Sequence, residues 1–221
     1  MITTITITIT TATTTTTTEA AAMEWEKEPA AIYRASFAAI RAEAALDGVP
    51  EELRDLVIRV VHACGMPDIV SDMAWSTGAG EAGRTALASA APILVDAEMV
   101  AHGIIRRKLA GNPVICTLNA VTAYAGTTRS AAAVELWRDR IAGSVVAIGN
   151  APTALFRLLE LMAEGWPRPA LILGFPVGFV GAAESKQALA ESGLPFVTLR
   201  GRRGGSAMAA AAVNALAGGL E

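Results

Sequence analysis

The sequence predicts an α/β protein: a single domain with a mainly parallel sheet of about five strands, covered by helices in a three-layer α/β/α arrangement. Five short apolar runs support this, at residues 93–95, 114–118, 145–148, 171–173 and 196–199. Each run is followed by a turn and a helical segment. The runs are continuous rather than alternating, which is typical of strands buried on both faces. Alternation of strands with helices indicates right-handed crossovers and a parallel sheet.

Composition narrows the class of protein. The chain has 221 residues, of which 52% are hydrophobic and 18% charged, enough for one domain with a substantial core. The formal charge of −3 gives no general reason to bind nucleic acid or an anionic membrane. No apolar run reaches membrane-spanning length without Pro or Gly. We therefore expect neither a nucleic-acid nor a membrane partner.

Cysteine and histidine usage argues against disulfide and metal chemistry. Cys64 and Cys116 form no disulfide framework and no metal quartet, which favours a reducing cytoplasm. The two histidines have no nearby acidic ligand pattern, so no zinc site is predicted. We expect a cytoplasmic protein that holds no metal.

The chain begins with a segment unlike the rest. Residues 1–22 are mostly Thr, with Ile and Ala, and lack the basic and apolar regions of a secretory signal. This composition predicts a disordered leader, or a start codon placed too early. The folded domain is expected to span residues 23–221.

Two helices follow the leader. The first places Phe37, Ile40 and Ala44 on one face, and Ser36 is either its N-cap or a hydroxyl displayed to a ligand. The second is predicted to begin at Pro50, a favoured first position, and to end at His62.

His62 has an unusual position on that second helix. Its apolar stripe contains Leu53 and Val60, and at 100° per residue His62 points about 180° away from Leu53. A histidine that only fills the core should lie on the stripe, so His62 faces another cavity, a partner or solvent. Gly65 follows as a C-cap, and the negative end of the helix dipole is expected to raise the pKa of His62. Such a residue suits proton transfer, although a plain surface histidine is an open alternative.

The segments after the apolar runs predict a binding rim, because ligands of open α/β sheets bind beyond the carboxyl ends of the strands. Glycine-bearing loops there deliver helix N-termini, whose free N–H groups suit anions. Cationic side chains accompany them at Arg129, Lys186, Arg200, Arg202 and Arg203. The aromatic and glycine-rich loop 174–181 would add a flat apolar surface. Together these features favour a large, flat, polyanionic organic ligand.

Other motifs are missing or ambiguous. The first strand is not followed by G-x-G-x-x-G, and the chain has neither a P-loop nor a G-x-S-x-G elbow. Asp96 and Glu98, near a strand end, suit either an acid–base pair or the more common role of a helix-capping Asp.

Several ordered motifs together resemble the precorrin-8X methylmutase (precorrin isomerase) family of cobalamin biosynthesis. They run from about Tyr33 to Ala217. The motifs are Tyr33-x-x-Ser36-Phe37-x-x-Ile40-Arg41-x-Glu43, Val61-His62-Ala63-Cys64-Gly65, Asp96-Ala97-Glu98-Met99-Val100, Thr128-Arg129-Ser130, Gly149-Asn150-Ala151-Pro152-Thr153-Ala154-Leu155, Pro176-Val177-Gly178-Phe179-Val180-Gly181-Ala182-Ala183-Glu184-Ser185-Lys186 and Gly204-Gly205-Ser206-Ala207-Met208.

The resemblance implies an isomerase that moves a methyl group from C-11 to C-12 of precorrin-8, giving hydrogenobyrinate without an external cofactor. His62 would be the catalytic proton donor and acceptor, and Ser36 would contact the substrate. The family is homodimeric, with sites near the subunit interface. The other expected substrate-binding residues are Tyr33, Arg129, Thr128, Gly178, Lys186, Arg200, Gly205 and Ser206.

Three alternatives stay open at this stage. The substrate could be cobalt-precorrin-8, giving cobyrinate, because both routes share these motifs. The chain could also be a corrin carrier without turnover. A general nucleotide- or phosphate-binding protein is the third, but it would require a phosphate loop at the first strand.

Overall fold

The computed structural model of this chain describes residues 25–220. The predicted leader, residues 1–22, lies outside the described residues, and so do residues 23 and 24. Of the described residues, 25–35 belong to one compact unit and 36–220 to a second. The sheet and its covering helices belong to the second unit.

The central sheet has six strands in the order β1-β6-β5-β4-β2-β3. Five are parallel, and β1 pairs antiparallel with β6 at one edge. The strands are β1 Met73–Trp75, β2 Ile93–Val95, β3 Val114–Cys116, β4 Val145–Ile148, β5 Leu171–Gly174 and β6 Phe196–Leu199. The five predicted strands are confirmed. The prediction of about five missed β1, a three-residue edge strand that pairs antiparallel with β6.

Helices cover both faces of the sheet, so the predicted three-layer α/β/α fold is confirmed. The helices are α1 Pro29–Glu43, α2 Glu51–Cys64, α3 Ala79–Ala88, α4 Glu98–Gly103, α5 Arg129–Glu135, α6 Pro152–Ala163, α7 Ala182–Glu191 and α8 Ser206–Gly218. Short 3-10 helices occupy Pro67–Asp72, Arg106–Lys108 and Leu118–Ala120.

Alternate strand residues divide the core into two clusters. Ile93 and Val95 of β2 pack with apolar residues of α2, α3, α4 and α8. Leu94, between them, packs with residues of α5, α6 and α7. Because neighbouring side chains of a strand point to opposite faces, these two sets of helices lie on opposite sides of the sheet.

The first helix starts well before Ser36, which was predicted as one of two alternatives to be its N-cap. α1 begins at Pro29, and the Glu28 carboxylate accepts hydrogen bonds from the N–H groups of Ala30 and Ala31. Ser36 lies in the middle of α1, so its assignment as the N-cap is wrong. Phe37 and Ile40 are buried, as their spacing predicted.

α2 follows the predicted pattern closely. Leu53, Val57 and Val60 are fully buried, and the helix packs on the alanine-rich α8. Gly65 is the C-cap, at φ 68°, and its N–H donates to the Val61 carbonyl at 2.8 Å. Glycine enters this left-handed conformation without a Cβ clash, so the helix ends directly after the turn that bears His62.

No helix within residues 25–220 is long and apolar enough to cross a membrane.

Candidate active site

Ser36 and His62 form a hydrogen-bonded pair between two helices. The Ser36 Oγ lies 2.8 Å from His62 Nδ1. The ring of Phe37, next to Ser36 on α1, lies 5.2 Å from the imidazole centroid at an interplanar angle of 58°. The His62 side chain is exposed, as expected for a residue opposite the buried stripe of α2. The pair therefore presents an oriented imidazole at the surface of the fold.

The protonation of His62 differs from the prediction. Partial burial lowers the pKa of His62 below its usual value, and the positive charge of Arg59, one turn earlier, lowers it further. The predicted increase from the helix dipole is therefore wrong. Arg59 is 8% exposed, and its guanidinium donates to the Gly219 carbonyl at 2.8 Å. At neutral pH this environment favours the neutral imidazole.

The thiol nearest to His62 offers no nucleophile. Burial raises the pKa of Cys64, and its Sγ donates to the Val61 carbonyl at 3.4 Å. Because the thiolate is the reactive form, Cys64 stays an inert thiol at neutral pH.

An arginine clamp connects the end of α2 to the rim of the sheet. Arg203, in the loop after β6, forms ion pairs with Asp68 at 2.5 Å and Asp72 at 2.6 Å. Both acids belong to the 3-10 helix that follows α2. The backbone N–H of Arg200 also donates to the Asp72 carbonyl at 2.8 Å. We use the name clamp for Arg203, Asp68 and Asp72; it places the His62 end of α2 beside the carboxyl end of β6.

Part of the predicted rim is occupied by the protein's own groups. The carboxylate of Asp96, at the end of β2, accepts the N–H groups of Gly149, Asn150 and Ala151 at 2.9, 2.9 and 2.7 Å. These amides precede α6, so the expectation that they are free for a substrate anion is wrong. Burial raises the pKa of Asp96, against the opposing effect of the three N–H donors.

Asp96 and Glu98 have different partners. Asp96 anchors the turn before α6 but is not the N-cap of α4, which is Ala97, so its helix-capping interpretation is wrong. Glu98 accepts from Asn119 at 3.1 Å. An acid–base pair of these two carboxylates has no support from their hydrogen bonds.

The predicted substrate-binding residues after β6 lie close together. Arg200 is exposed, whereas Ser206 is 8% exposed at the start of α8. Gly205 adopts φ 132°, and its N–H donates to the Phe175 carbonyl at 2.8 Å. Gly178, at φ 149°, donates to the Arg202 carbonyl at 3.2 Å. Glycine is required at these two positions by their backbone conformation.

Lys186 is turned inward. Its side chain is fully buried, and its ammonium donates to the Arg203 carbonyl. Burial lowers the pKa of Lys186 to about 8. In this structure Lys186 supports the loop that bears Arg203 and lies beneath the rim surface.

Thr128 and Arg129 lie in the segment between β3 and β4, away from β6 in the strand order. Thr128 is the N-cap of α5; its hydroxyl accepts from the Ala131 N–H at 3.2 Å and donates to Thr153 Oγ1 at 2.8 Å. Arg129 is exposed at the first position of α5. α5 and α2 cover opposite faces of the sheet, so Arg129 and His62 reach the carboxyl edge of the sheet from different helical layers. Tyr33 lies in the first compact unit, on α1, and is 49% exposed.

Two residues that tune this region were missed in the sequence. Arg59 and Arg203 are ordinary arginines in the sequence, and their roles depend on partners at Gly219, Asp68 and Asp72. Only the i, i+3 spacing of Arg59 and His62 gave a local signal. Within residues 25–220, no group of three or more His, Cys, Asp or Glu side chains is arranged to hold a metal ion.

Comparison with known proteins shows the family. The family model described as precorrin-8X methylmutase matches residues 31–218. The chain belongs to this family. It is 62% identical to the precorrin-8X methylmutase of Pseudomonas aeruginosa, over 88% of this chain and 98% of the relative. It is 60% identical to that of Sinorhizobium sp., over 85% and 93%.

More distant relatives and a solved structure agree with the assignment. The chain is 37% identical to the cobalt-precorrin-8 methylmutase of Methanocaldococcus jannaschii, over 75% of this chain and 79% of the relative. Precorrin-8X methylmutase from Thermus thermophilus superposes with a TM-score of 0.79 at 39% identity, covering 85% of this chain and 94% of that one. The protein is therefore an isomerase, a methylmutase, whose family implies a tetrapyrrole precorrin substrate.

Proposed function

We propose that this isomerase moves the methyl group from C-11 to C-12 of precorrin-8 and so forms hydrogenobyrinate, with His62 as the proton carrier. The observation that supports this role is the 2.8 Å contact between Ser36 Oγ and His62 Nδ1. It fixes the ring of an exposed imidazole at the carboxyl end of the sheet. Geometry of this kind is the first requirement of a general acid or base.

Proton balance sets the task of His62. Substrate and product are isomers, so any proton that His62 gives to the macrocycle during the shift must return to it or to solvent. The migrating methyl group stays on the substrate, so no nucleophile and no external cofactor take part. Catalysis then rests on holding one reactive conformer and placing one proton.

The lowered pKa of His62 determines its protonation state before substrate binds. The neutral imidazole has one protonated and one unprotonated nitrogen, so it can accept a proton at one and donate at the other. Contact with Ser36 Oγ engages Nδ1, which leaves exchange with substrate to Nε2. We therefore assign Ser36 the role of fixing the orientation of the ring, beside its predicted contact with substrate.

Substrate binding is proposed at the rim, and a homodimer is proposed to complete it. Arg200 and Arg129 are exposed guanidinium groups suited to the peripheral carboxylates of a tetrapyrrole. Gly178, Gly205, Ser206 and Thr128 belong to the loops and helix starts of the same edge. Tyr33 is proposed to contact the substrate, and Lys186 is proposed to support the loop beneath the rim. We place the reaction in the cytoplasm, in keeping with two free thiols.

Cobalt-precorrin-8, giving cobyrinate, is the second candidate substrate. The relatives at 60–62% identity are named precorrin-8X methylmutases, whereas a relative at 37% is named for the cobalt form. This favours the metal-free substrate. Incubating the enzyme with each form and recording the visible spectrum compares their turnover directly.

Replacing His62 tests the proposed mechanism. We expect His62→Ala to abolish isomerisation while the protein still binds the orange-red corrin, because the substitution removes the proton carrier from an exposed position. Turnover is followed by the visible spectrum, and binding by titration with hydrogenobyrinate. His102→Ala, at the exposed end of α4, is the matched control. Wild-type turnover by His62→Ala would overturn the mechanism, and a wild type that binds corrin without turnover would indicate the carrier.

A further inference from the structure

The loop between β5 and α7 exposes apolar side chains beside a cation. Phe179 is 85% exposed, Val180 88% and Val177 44%. The guanidinium carbon of Arg202, in the loop after β6, lies 5.3 Å from the centroid of the Phe179 ring. We call Val177, Phe179, Val180 and Arg202 the platform. Contiguous exposed apolar side chains of this kind mark a binding surface.

Tight contacts between its two loops hold the platform in place. The Gly178 N–H donates to the Arg202 carbonyl at 3.2 Å, and the Gly205 N–H donates to the Phe175 carbonyl at 2.8 Å. Gly204 sits so close that a Cβ there would overlap the carbonyl oxygens of Phe175 and Pro176. The exposed side chains therefore stand on an ordered base, which reduces the entropy lost when a ligand binds.

The two adjacent arginines have opposite surroundings. Arg203 is neutralised by Asp68 and Asp72 in the clamp. Arg202 is exposed, and within residues 25–220 no carboxylate forms an ion pair with it. A guanidinium over an aromatic face keeps its N–H donors available at its edge for a carboxylate. The clamp also places this surface beside the His62 end of α2.

We propose that the platform is a substrate subsite that takes the apolar face of the tetrapyrrole on Phe179 and Val180 and one peripheral carboxylate on Arg202. The inference rests on the proposed function, because that supplies a flat ligand edged with carboxylates. Such a ligand matches both halves of the platform, the exposed apolar area and the unpaired charge. A second copy of the chain would cover the apolar half and would need an acid opposite Arg202.

Titration with hydrogenobyrinate, followed by its visible absorbance, tests the subsite. We expect Phe179→Ala to raise Kd about tenfold, since an aromatic stack on a flat ring contributes at this level. We expect Arg202→Gln to raise Kd about fivefold for the free acid and to leave the Kd of its methyl ester unchanged. Arg138→Gln is the matched control: Arg138 lies 5.3 Å from the ring of Trp166, between α6 and β5. In turnover assays KM should rise while kcat is retained, as for lost uniform binding.

The outcomes separate this inference from the proposed function. If the wild type binds corrin and both platform variants bind it equally well, the subsite is wrong and the proposed function stands. If the wild type binds no corrin, both are wrong. If Phe179→Ala halves the mass in sedimentation equilibrium, the platform is a subunit contact, and the subsite is overturned. Weaker corrin binding with unchanged mass supports it.

Discussion

Ser36 shows how one hydroxyl can orient the imidazole that we propose as the proton carrier. Its Oγ is 2.8 Å from His62 Nδ1, so the substitution Ser36→Ala removes the bond that fixes the orientation of the imidazole. We expect kcat to fall about ten- to a hundredfold, a part of the contribution usual for general acid–base catalysis. Measured kcat and KM for the wild type, Ser36→Ala and Ser36→Thr test this.

The hydroxyl of Ser36→Thr should recover much of the loss, because it can still reach the ring. Ser192→Ala, which removes a hydroxyl bonded within the end of α7, is the control for a generic serine effect. Equal kcat in Ser36→Ala and wild type would contradict the role assigned to Ser36.

Arg59 provides a second residue-level test, through pH. Its positive charge lowers the pKa of His62, so replacing it by Met removes a repulsion that disfavours the imidazolium. The pKa of His62 should rise, and the inflection it causes in the pH–rate profile should move to higher pH. NMR titration of the histidine ring protons measures the shift directly. The chain contains two histidines, and the spectrum of His62→Ala assigns their signals.

Arg54→Met is the matched control for Arg59→Met. Arg54 lies on the same helix, is half exposed and pairs with Glu51 at 2.8 Å near its other end. Charge separated by about two helical turns and screened by salt should leave the His62 titration nearly unmoved. A pKa of His62 that is the same in wild type and Arg59→Met would show that burial alone lowers it.

His62 shows which properties of a single residue the sequence can predict and which it cannot. The helical spacing on α2 correctly placed His62 away from the buried stripe, because orientation on a helix follows from local geometry. The direction of its pKa shift was wrong. That direction depends on burial and on the Arg59 guanidinium, which is held at Gly219, 160 residues later. Contacts over such a separation have no local signature.

At the level of elements, the clamp joins the rim to the helix end that bears His62. We expect Arg203→Met to lower Tm and kcat together, because it releases Asp68 and Asp72 and loosens the 3-10 helix after Gly65. Both pairs are partly exposed, so the loss of stability should be modest. Arg203→Lys should recover only part, since one ammonium cannot span two carboxylates as a guanidinium fork does.

A double-mutant cycle isolates the clamp from other effects of Arg203. In an Asp68→Asn, Asp72→Asn background, Arg203→Met should change Tm much less than it does in the wild type. Arg203 also lowers the pKa of Asp68, so the contribution of the clamp should be present above the ordinary carboxyl pKa and disappear as the pH falls through the lowered value. Additive effects in the cycle would mean that Arg203 acts through other contacts.

Secondary-structure elements differ in how well the sequence predicts them. The five parallel strands were predicted because they are continuous apolar runs, each followed by a helix. β1 was missed because its three residues pair only at the sheet edge, through long-range contact with β6. The start of α1 was misread because the capping group is a Glu28 carboxylate rather than the Ser36 hydroxyl. The rim amides were misread because Asp96, at another strand end, already binds them.

At the scale of the whole molecule, the two halves of the expected site lie on different layers. His62 is on α2 in one helical layer, and Arg129 begins α5 in the other. The sequence motifs include both residues but do not show whether they lie close together. Both residues lie at helix ends near the carboxyl edge of the sheet, where ligands of open α/β sheets bind, so the layering is compatible with a site within one chain and with a site shared by two subunits. The proposed homodimer therefore rests on the family resemblance, and a direct test has to distinguish the two arrangements.

Subunit mixing tests that shared site. His62→Ala and Arg129→Ala chains, each inactive or weak alone, are mixed in equal amounts, unfolded and refolded together. If each site takes His62 from one chain and Arg129 from its partner, half of the dimers are mixed, and each mixed dimer has one intact site. Activity should then return to about a quarter of wild type, the statistical value for a twofold dimer. Sedimentation equilibrium should show twice the 22.8 kDa chain mass.

If both residues act from the same chain, every site in a mixed dimer carries one substitution and no activity returns. A monomeric wild type, or full activity of Arg129→Ala alone, would likewise exclude the shared site, because the second subunit would then contribute nothing that the chemistry needs.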